Sequence, residues 1–239
     1  MAGLGASGKS SIVKEYAALT GRPFFRVAFH QDSCYDDLVG SAQIDEGRTF
    51  WAPSNFVLAC RTPHAVIVME EFPAAPAPVQ INVNTIVDGL GTTLPDGTTL
   101  TPDPTVNFVV AANHAGAGDE TGEYVATNQC DASTVDRFDV TFHVDYLDPA
   151  TEIDTLTRRT GATPALAKDI VNFATVTRTA CQRGTLATPM SMRRTLAVAK
   201  LRMLGLSAME ALEHGYISRL RSEDQAMVRT EAATAYRSE

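Results

Sequence analysis

Residues 3–11 have the composition of a loop that binds phosphate. Residues 3–10 read GLGASGKS and fit the pattern GxxxxGK[ST], and the residues that follow, SIVKEYAALTG, are typical of a helix that ends at Gly21. In such loops the backbone N–H groups and the helix N-terminus surround the phosphates, the lysine reaches the β- and γ-phosphates, and the hydroxyl ligates Mg²⁺. We therefore expect ATP and Mg²⁺ as cofactors, with the nucleotide held by Gly3, Gly5, Ala6, Ser7, Gly8, Lys9, Ser10 and Ser11.

The start of the chain conflicts with this prediction in one respect. Only Met1 and Ala2 precede the loop, whereas the strand that leads into such a loop is normally central to the sheet. We expect that first strand to be missing or to lie upstream. A chance match to the motif is disfavoured because a helix is predicted at the right place after it.

A second candidate element is the apolar strand AVIVMEE at residues 65–71, which ends in two carboxylates. At such a strand end one carboxylate, here Glu70, lies near Mg²⁺ together with Ser10, and the next, Glu71, activates the attacking water. Aspartate is usual at the first position, so the longer Glu70 predicts weaker metal binding or slower turnover. Two alternatives stay open: Glu70 activates water with Met69 at the metal position, or both acids are simply solvated.

A third strand, NFVVAAN, ends in the neutral amide of Asn113. This amide could orient the lytic water together with Glu71. An asparagine after a strand is also a common turn residue, so the position alone does not decide between the two roles.

The elements that must position these residues follow from the hydrophobic pattern. Short apolar runs alternate with helical stretches in the first part of the chain, which predicts an α/β fold with a parallel sheet sandwiched by helices. The expected strands are 24–29, 65–69, 106–112 and 140–144, the expected helices are 10–19, 55–60 and 79–87, and a hairpin is expected at 94–101. Later helices are expected at 150–159, 164–181, 191–204 and 222–236, with a shorter one from Leu206. With a hinge at Asp148-Pro149, the expected domains are 1–148 and a small helical domain at 149–239.

Composition and charge narrow the functional classes. No apolar run approaches the roughly 20 residues of a membrane span, and no secretory signal opens the chain, so a cytoplasmic protein without membrane contact is expected. The net charge is −8. Acidic residues are concentrated in residues 1–150 and basic residues after them, which disfavours nucleic acid as the partner because DNA binding needs clustered Lys and Arg.

Two longer stretches resemble a known family. The segment AANHAGAGDETGEYVATNQCDASTVDRFDVTFHVDYL is similar to the region that follows the third strand in CobS-type proteins, and RVAFHQDSCYDDLVG resembles a strand and loop of both CobS and CbbQ proteins. The chain is thus identified as resembling the MoxR branch of AAA+ ATPases, most closely the ATPase subunit of cobaltochelatase. The resemblance implies an AAA+ core followed by a helical lid.

The resemblance also implies roles for individual residues. They are Lys9 and Ser10 as Walker A, Glu70 and Glu71 as Walker B, Asn113 as sensor 1, Arg137 of DRF as arginine finger, and Arg193 of SMRRTL as sensor 2, with Arg194 as the substitute. An arginine finger stabilises charge on the transferred phosphoryl group of a neighbouring subunit. The alternatives are that Arg137 pairs with Asp136 or Asp139, and that Arg193 is a solvated helix residue.

The function implied is that of an ATP-hydrolysing homo-oligomer, expected as a hexameric ring, that remodels a partner protein such as one with a von Willebrand-type domain. An alternative is a nucleotide-gated assembly module with little hydrolysis; a nucleic-acid motor is disfavoured by the charge. In this family the segment SAQIDEGRTFW and the 94–101 hairpin face the pore or partners. Phe50 and Trp51 are therefore weak candidates for partner contact, although core packing is the favoured interpretation for Trp51.

Overall fold

The computed structural model of this chain describes residues 2–3, 7–112 and 132–236. These residues divide into two compact units: the first ends at Val144, and the second begins at Asp145 and also includes Ser7. Within the described residues the first unit contains strands and helices, and every regular element of the second unit is helical.

The elements of the first unit alternate along the chain. Its strands are β1 (Ala2–Gly3), β2 (Phe24–Ala28), β3 (Gly40–Asp45), β4 (Arg48–Pro53), β5 (Val66–Glu70), β6 (Thr92–Thr93), β7 (Thr99–Leu100), β8 (Asn107–Ala111) and β9 (His143–Val144). Its α-helices are α1 (Lys9–Leu19), α2 (Tyr35–Val39), α3 (Asn55–Cys60), α4 (Ala77–Val87) and α5 (Ala132–Val135), and a 3₁₀ helix spans Phe72–Ala74.

The central element of this unit is a three-stranded parallel sheet in the order β2-β5-β8. In its register Glu70 lies opposite Ala28 on one side and Ala111 on the other, so the carboxyl ends of all three strands meet at one edge. The acidic residues Glu70, at the end of β5, and Glu71, directly after it, are therefore placed at the edge where open α/β sheets normally bind ligands.

Strand β5 is buried on both faces, which explains its uninterrupted apolar sequence. Val66 and Val68 pack with α1 in one core cluster, whereas Ile67 and Met69 belong to a second cluster that includes residues of α3 and α4. The alternation of side chains along the strand thus produces three layers, with helices on both faces of the sheet. The predicted α/β sandwich is confirmed.

Strands β1 and β9 form a parallel two-stranded sheet of their own, which the described residues do not join to β2-β5-β8. The strand before the loop was expected to be missing or to lie upstream; the two residues Ala2–Gly3 form β1 and pair with His143–Val144, and the expectation about the strand of the central sheet stays a prediction. The strand expected at 140–144 is reduced to the two residues of β9, and residues 140–142 precede it without strand structure.

Two hairpins extend from the first unit. The expected one at 94–101 is present, with β6 and β7 antiparallel around a turn in which Leu94 donates to the Thr98 carbonyl at 2.8 Å. Strands β3 and β4 form a second hairpin that the pattern did not predict as strands, and its two-residue turn is at Glu46 and Gly47, both with positive φ.

The second hairpin carries the two aromatic residues considered for partner contact. Trp51 is half-buried and packs against the core of the first unit, as favoured from its type. Phe50 is 47% exposed.

The second unit contains α6 (Pro149–Thr160), α7 (Pro164–Gln182), α8 (Met192–Met203), α9 (Ala208–Gly215) and α10 (Ser222–Ala235), with a 3₁₀ helix at Ile217–Arg219. These agree with the predicted helices. Asp148, expected at a hinge, caps α6 by accepting hydrogen bonds from the amides of Ala150 and Thr151 at 3.1 and 3.0 Å. No helix in the described part of the chain has the length and apolar character needed to cross a bilayer.

Candidate functional site

The loop residues that the structure describes lead directly into α1. Gly8 has φ of 95°, a left-handed conformation that favours glycine, and α1 begins at Lys9 with no side chain capping its N-terminus among the described residues. The first-turn amides of such a helix need partners and attract anions. Ser7 is buried, and its Oγ has no hydrogen-bond partner among the described residues.

Lys9 is only 8% exposed, which is unusual for a lysine. Burial lowers the pKa of its ammonium group, and the negative charge of Glu71 acts in the opposite direction. A buried ammonium is stabilised by anionic neighbours, so this position suits a phosphate group.

Glu70 lies at the end of β5, where two side chains approach its carboxylate. Arg26 of β2 donates from Nε to Oε2 at 2.5 Å, and its Nη2 forms an ion pair with the same oxygen. The hydrogen bond from Arg26 lowers the pKa of Glu70, and a hydrogen bond from the Ser10 hydroxyl lowers it further. The predicted metal pair, Ser10 and Glu70, is therefore brought together by α1 and β5.

Two oxygen donors fit the way Mg²⁺ is bound in nucleotide sites. Magnesium ordinarily takes one or two protein oxygens and completes its octahedron with waters and phosphate oxygens. Among the described residues no group of three or more His, Cys, Asp or Glu side chains could hold a metal by itself. Ser10 and Glu70 would accordingly hold the ion only together with the nucleotide.

Glu71 follows in a strained backbone conformation. Its φ is +52°, rare for a residue other than glycine, and its N–H donates to the carbonyl of Ala111 at 3.2 Å. Such strain costs on the order of 1–3 kcal/mol and is concentrated at functional sites. The bond to Ala111 ties Glu71 to the end of β8, the strand that precedes Asn113.

Several predicted site residues are not tested by this geometry. Asn113, Gly5 and Ala6 lie outside the described residues. Gly3 is part of β1, and Ser11 is an exposed residue of α1.

Arg137 forms an ion pair that sequence reasoning did not consider. Its Nε donates to both carboxylate oxygens of Asp88, at 3.0 and 2.9 Å, and its Nη1 donates to the Ser133 carbonyl. The proposed alternative partners, Asp136 and Asp139, are therefore wrong for this structure. Asp88 caps the C-terminus of α4, and no local signal in the sequence connects it with a residue 49 positions away.

Arg193 and Arg194 lie in the first turn of α8, in the second unit. Arg193 is exposed and Arg194 is half-buried. Burial lowers the pKa of Arg194, and the positive charges of Arg219 and Arg193 lower it further. Arg219 thus joins the two predicted arginines in a positively charged group that sequence spacing did not reveal.

Comparison with known families identifies this arrangement. Residues 3–138 match the family model for the AAA domain (dynein-related subfamily). The chain belongs to this AAA family. Residues 152–235 match the CbbQ/NirQ/NorQ C-terminal model, so the predicted resemblance to MoxR-type AAA+ proteins is confirmed. The first unit accordingly has the P-loop NTPase fold, and a helical region follows it.

Individual relatives of this AAA chain are moderately similar. It is 27% identical over 210 residues to the aerobic cobaltochelatase subunit CobS of Sinorhizobium sp. The aligned region covers 84% of this chain and 63% of CobS. It is 28% identical over 207 residues to BssE of Thauera aromatica, covering 86% of this chain and 69% of BssE. The chain thus spans less than two thirds of CobS.

A solved structure supports the AAA fold. A point mutant of RuvB from Thermotoga maritima superposes with a TM-score of 0.52 at 12% identity, covering 90% of this chain and 60% of that RuvB chain. Similarity at this level of identity concerns the fold alone.

Proposed function

We propose that this AAA chain binds ATP with Mg²⁺ and hydrolyses it, and that it does so within a homo-oligomer that acts on a partner protein. The observation that carries the proposal is that two predicted motifs lie near each other at one edge of the sheet: the Ser10 hydroxyl lowers the pKa of Glu70, and the charge of Glu71 acts on the Lys9 ammonium. Family membership supports nucleotide binding as the general activity.

The proposed roles follow from position and charge. The Lys9 ammonium and the first-turn amides of α1 bind the β- and γ-phosphates, and Ser10 and Glu70 hold Mg²⁺, which neutralises charge on the phosphates when bound. Glu71 accepts the proton of the attacking water, because the charge of its carboxylate acts on Lys9 and its backbone is fixed against β8. Asn113 is proposed to orient the same water.

A second candidate function is supported by one observation. Arg26 engages the carboxylate that would otherwise be available to the metal. A chain in which this contact persists would bind nucleotide and change its assembly but release little phosphate. Phosphate release measured over time separates this nucleotide-gated module from an ATPase.

Two substitutions test the main proposal. Lys9→Ala removes the buried ammonium and is expected to weaken ATP binding roughly tenfold or more, since hydrogen bonds to charged groups are among the strongest in proteins. Glu71→Gln keeps shape and binding but is expected to lower turnover by about 100-fold or more, the usual contribution of a general base. Fluorescent nucleotide binding and phosphate release measure the two effects. Normal turnover of Glu71→Gln would assign water activation to another residue.

The oligomer is supported by the geometry of Arg137. The guanidinium is held through Nε and Nη1, and among the described residues no partner contacts Nη2. We propose that Arg137 and the lid residue Arg193, or Arg194 in its place, contribute positive charge near the transferred phosphoryl group. Arg137 would do so from the neighbouring subunit of a ring, expected to be hexameric.

Mixing two inactive variants tests this arrangement. A Lys9→Ala chain lacks a working pocket but offers Arg137, whereas an Arg137→Ala chain keeps the pocket and lacks the arginine. We expect activity to reappear on mixing and to rise with total protein concentration through assembly. An inactive mixture in which mixed rings are shown to form would mean that Arg137 serves only as the partner of Asp88.

The proposal names a class of partner protein and no individual protein. CobS is a subunit of a cobaltochelatase. By that likeness we propose a protein partner for this chain, and a von Willebrand-type domain protein is the version expected from the family resemblance. Nucleic acid is disfavoured by the acidic first 150 residues.

A further inference from the structure

The second unit contains a buried ion pair that the proposed reaction does not use. Glu152 of α6 has a side chain that is 1% exposed, and the side chain of Arg178 of α7 is 10% exposed. They form a two-pronged contact, with Nη1 donating to Oε2 at 2.6 Å and Nη2 donating to Oε1 at 2.9 Å. Burial of both charges is expensive, and such pairs are weak evidence for stability because apolar replacements are often neutral or stabilising.

Both members of this pair also bond to the start of α8. Arg178 donates from Nε to the carbonyl of Met190 at 3.0 Å, just before the N-cap residue Ser191. The hydroxyl of Thr195, in the first turn, shares its proton between the carbonyl of Met192 at 2.9 Å and Oε1 of Glu152 at 3.2 Å. One ion pair therefore holds the chain on both sides of Arg193 and Arg194.

Two helices of this unit begin without a side-chain cap. Helices α6, α7 and α9 are capped by the side chains of Asp148, Thr163 and Ser207, whereas the N-cap residues of α8 and α10 make no side-chain cap. The first turn of α10 carries two acidic residues, which suit the positive end of a helix dipole. The first turn of α8 carries arginines and no acidic residue, which is unfavourable at the positive end of a helix dipole.

A third contact extends the pair to the segment that connects the two units in sequence. The ring centroid of Tyr146, two residues after β9, lies 4.0 Å from Cζ of Arg178. This cation–π contact covers the guanidinium on the side of the connecting segment.

We infer that Glu152 and Arg178 are positioning residues that fix the first turn of α8 and with it the direction of Arg193 and Arg194. The inference rests on the proposed function for its catalytic consequence, since it is the arginines and not the ion pair that would meet the nucleotide. The pair is kept buried because it determines one geometry for that turn. Apolar side chains of similar volume at both positions would stabilise the unit equally well.

Amide hydrogen exchange in the full chain tests the fixing of the turn. Glu152→Met combined with Arg178→Met removes the pair without leaving a buried charge, and Thr195→Val removes one hydroxyl at constant shape. We expect exchange at residues 190–196 to rise in both, by about fivefold for Thr195→Val, as for the loss of one net hydrogen bond. Thr157→Val is the matched control, because the Thr157 hydroxyl is buried with no partner among the described residues. Unchanged exchange in the double variant would overturn the inference.

A kinetic cycle tests the consequence for the arginines. In the native chain Arg193→Ala, or Arg194→Ala if its effect is larger, is expected to lower ATP turnover about tenfold, as for one lost charged hydrogen bond. In the Glu152→Met/Arg178→Met background the same substitution should change turnover less than about twofold, because residues that act as a unit are not additive. A tenfold effect in both backgrounds contradicts positioning. If neither arginine affects turnover in the native chain, their proposed role fails, and the exchange measurement still decides whether the pair fixes the turn.

Discussion

Two glutamate–arginine pairs in this molecule have the same chemistry and opposite surroundings. In the first unit Glu70 pairs with Arg26, whose side chain is 62% exposed. In the second unit Glu152 pairs with Arg178, and both side chains are almost completely removed from solvent. The first pair has one guanidinium contacting one carboxylate oxygen, whereas the second is two-pronged and continues into α8.

The comparison shows that burial decides what a pair can do. Water reaches the exposed Arg26 side chain and screens its attraction to Glu70, so the Glu70 carboxylate can exchange Arg26 for another cation. A buried pair cannot release either charge without leaving the other unpaired. Glu70 therefore suits the proposed Mg²⁺ site, where an ion would be bound and released, and Glu152 suits a fixed geometry.

The largest expected difference between the pairs concerns stability. Arg178→Met leaves the Glu152 charge buried and is expected to lower the free energy of unfolding of the second unit by about 3–5 kcal/mol. Adding Glu152→Met should recover most of that loss, since the uncompensated charge is then gone. Urea denaturation, followed by a probe in the second unit, measures both variants. A loss of less than about 1 kcal/mol for Arg178→Met would mean that the Glu152–Arg178 pair contributes no more to stability than an exposed ion pair. The two pairs would then not differ in their effect on stability.

The sequence predicted the elements whose signals are local. The apolar run of β5, the glycine before α1 and the helices of the second unit were all found, because hydrophobic period and capping residues act within a few positions. The β3–β4 hairpin was missed as a pair of strands. Most of its residues are exposed, so it lacks the alternation of buried and polar side chains that identifies a strand.

The site divides in the same way. Lys9, Ser10, Glu70 and Glu71 were predicted because each motif is contiguous, and the structure brings the two motifs together. The partners of charged residues were not predicted. Arg26 and Glu70 are 44 positions apart, and Arg137 and Asp88 are 49 apart. Such contacts depend on strand register and helix packing, which the hydrophobic pattern of one sequence does not specify.

Removing Arg26 is expected to change the free energy of unfolding less than removing Arg178. The same substitution tests whether Arg26 affects metal binding independently of stability. Arg26→Gln should lower the free energy of unfolding by less than about 1 kcal/mol, because the Arg26 side chain is largely exposed. The pKa of Glu70 should rise toward its ordinary value, since the Arg26 hydrogen bond is the first cause of its depression. A carboxylate with a depressed pKa adds stability above its ordinary pKa and loses it as pH falls through the folded value. The variant should accordingly lose part of this acid-dependent change in stability.

The same substitution should strengthen Mg²⁺ binding in the nucleotide complex, because the guanidinium no longer competes for the Glu70 oxygen. Titration of ATP turnover with Mg²⁺ measures this, and we expect half-maximal activity at a lower metal concentration. Arg22→Gln is the matched control: Arg22 lies in the same unit, and its contacts with described residues are to the backbone carbonyls of His64 and Thr105 and the hydroxyl of Tyr16. Its loss removes an equal charge without freeing Glu70. If both variants shift the titration equally, the effect is one of net charge and Arg26 does not gate the metal position. If Arg26→Gln alone weakens Mg²⁺ binding, the guanidinium instead holds Glu70 in the orientation that the metal needs.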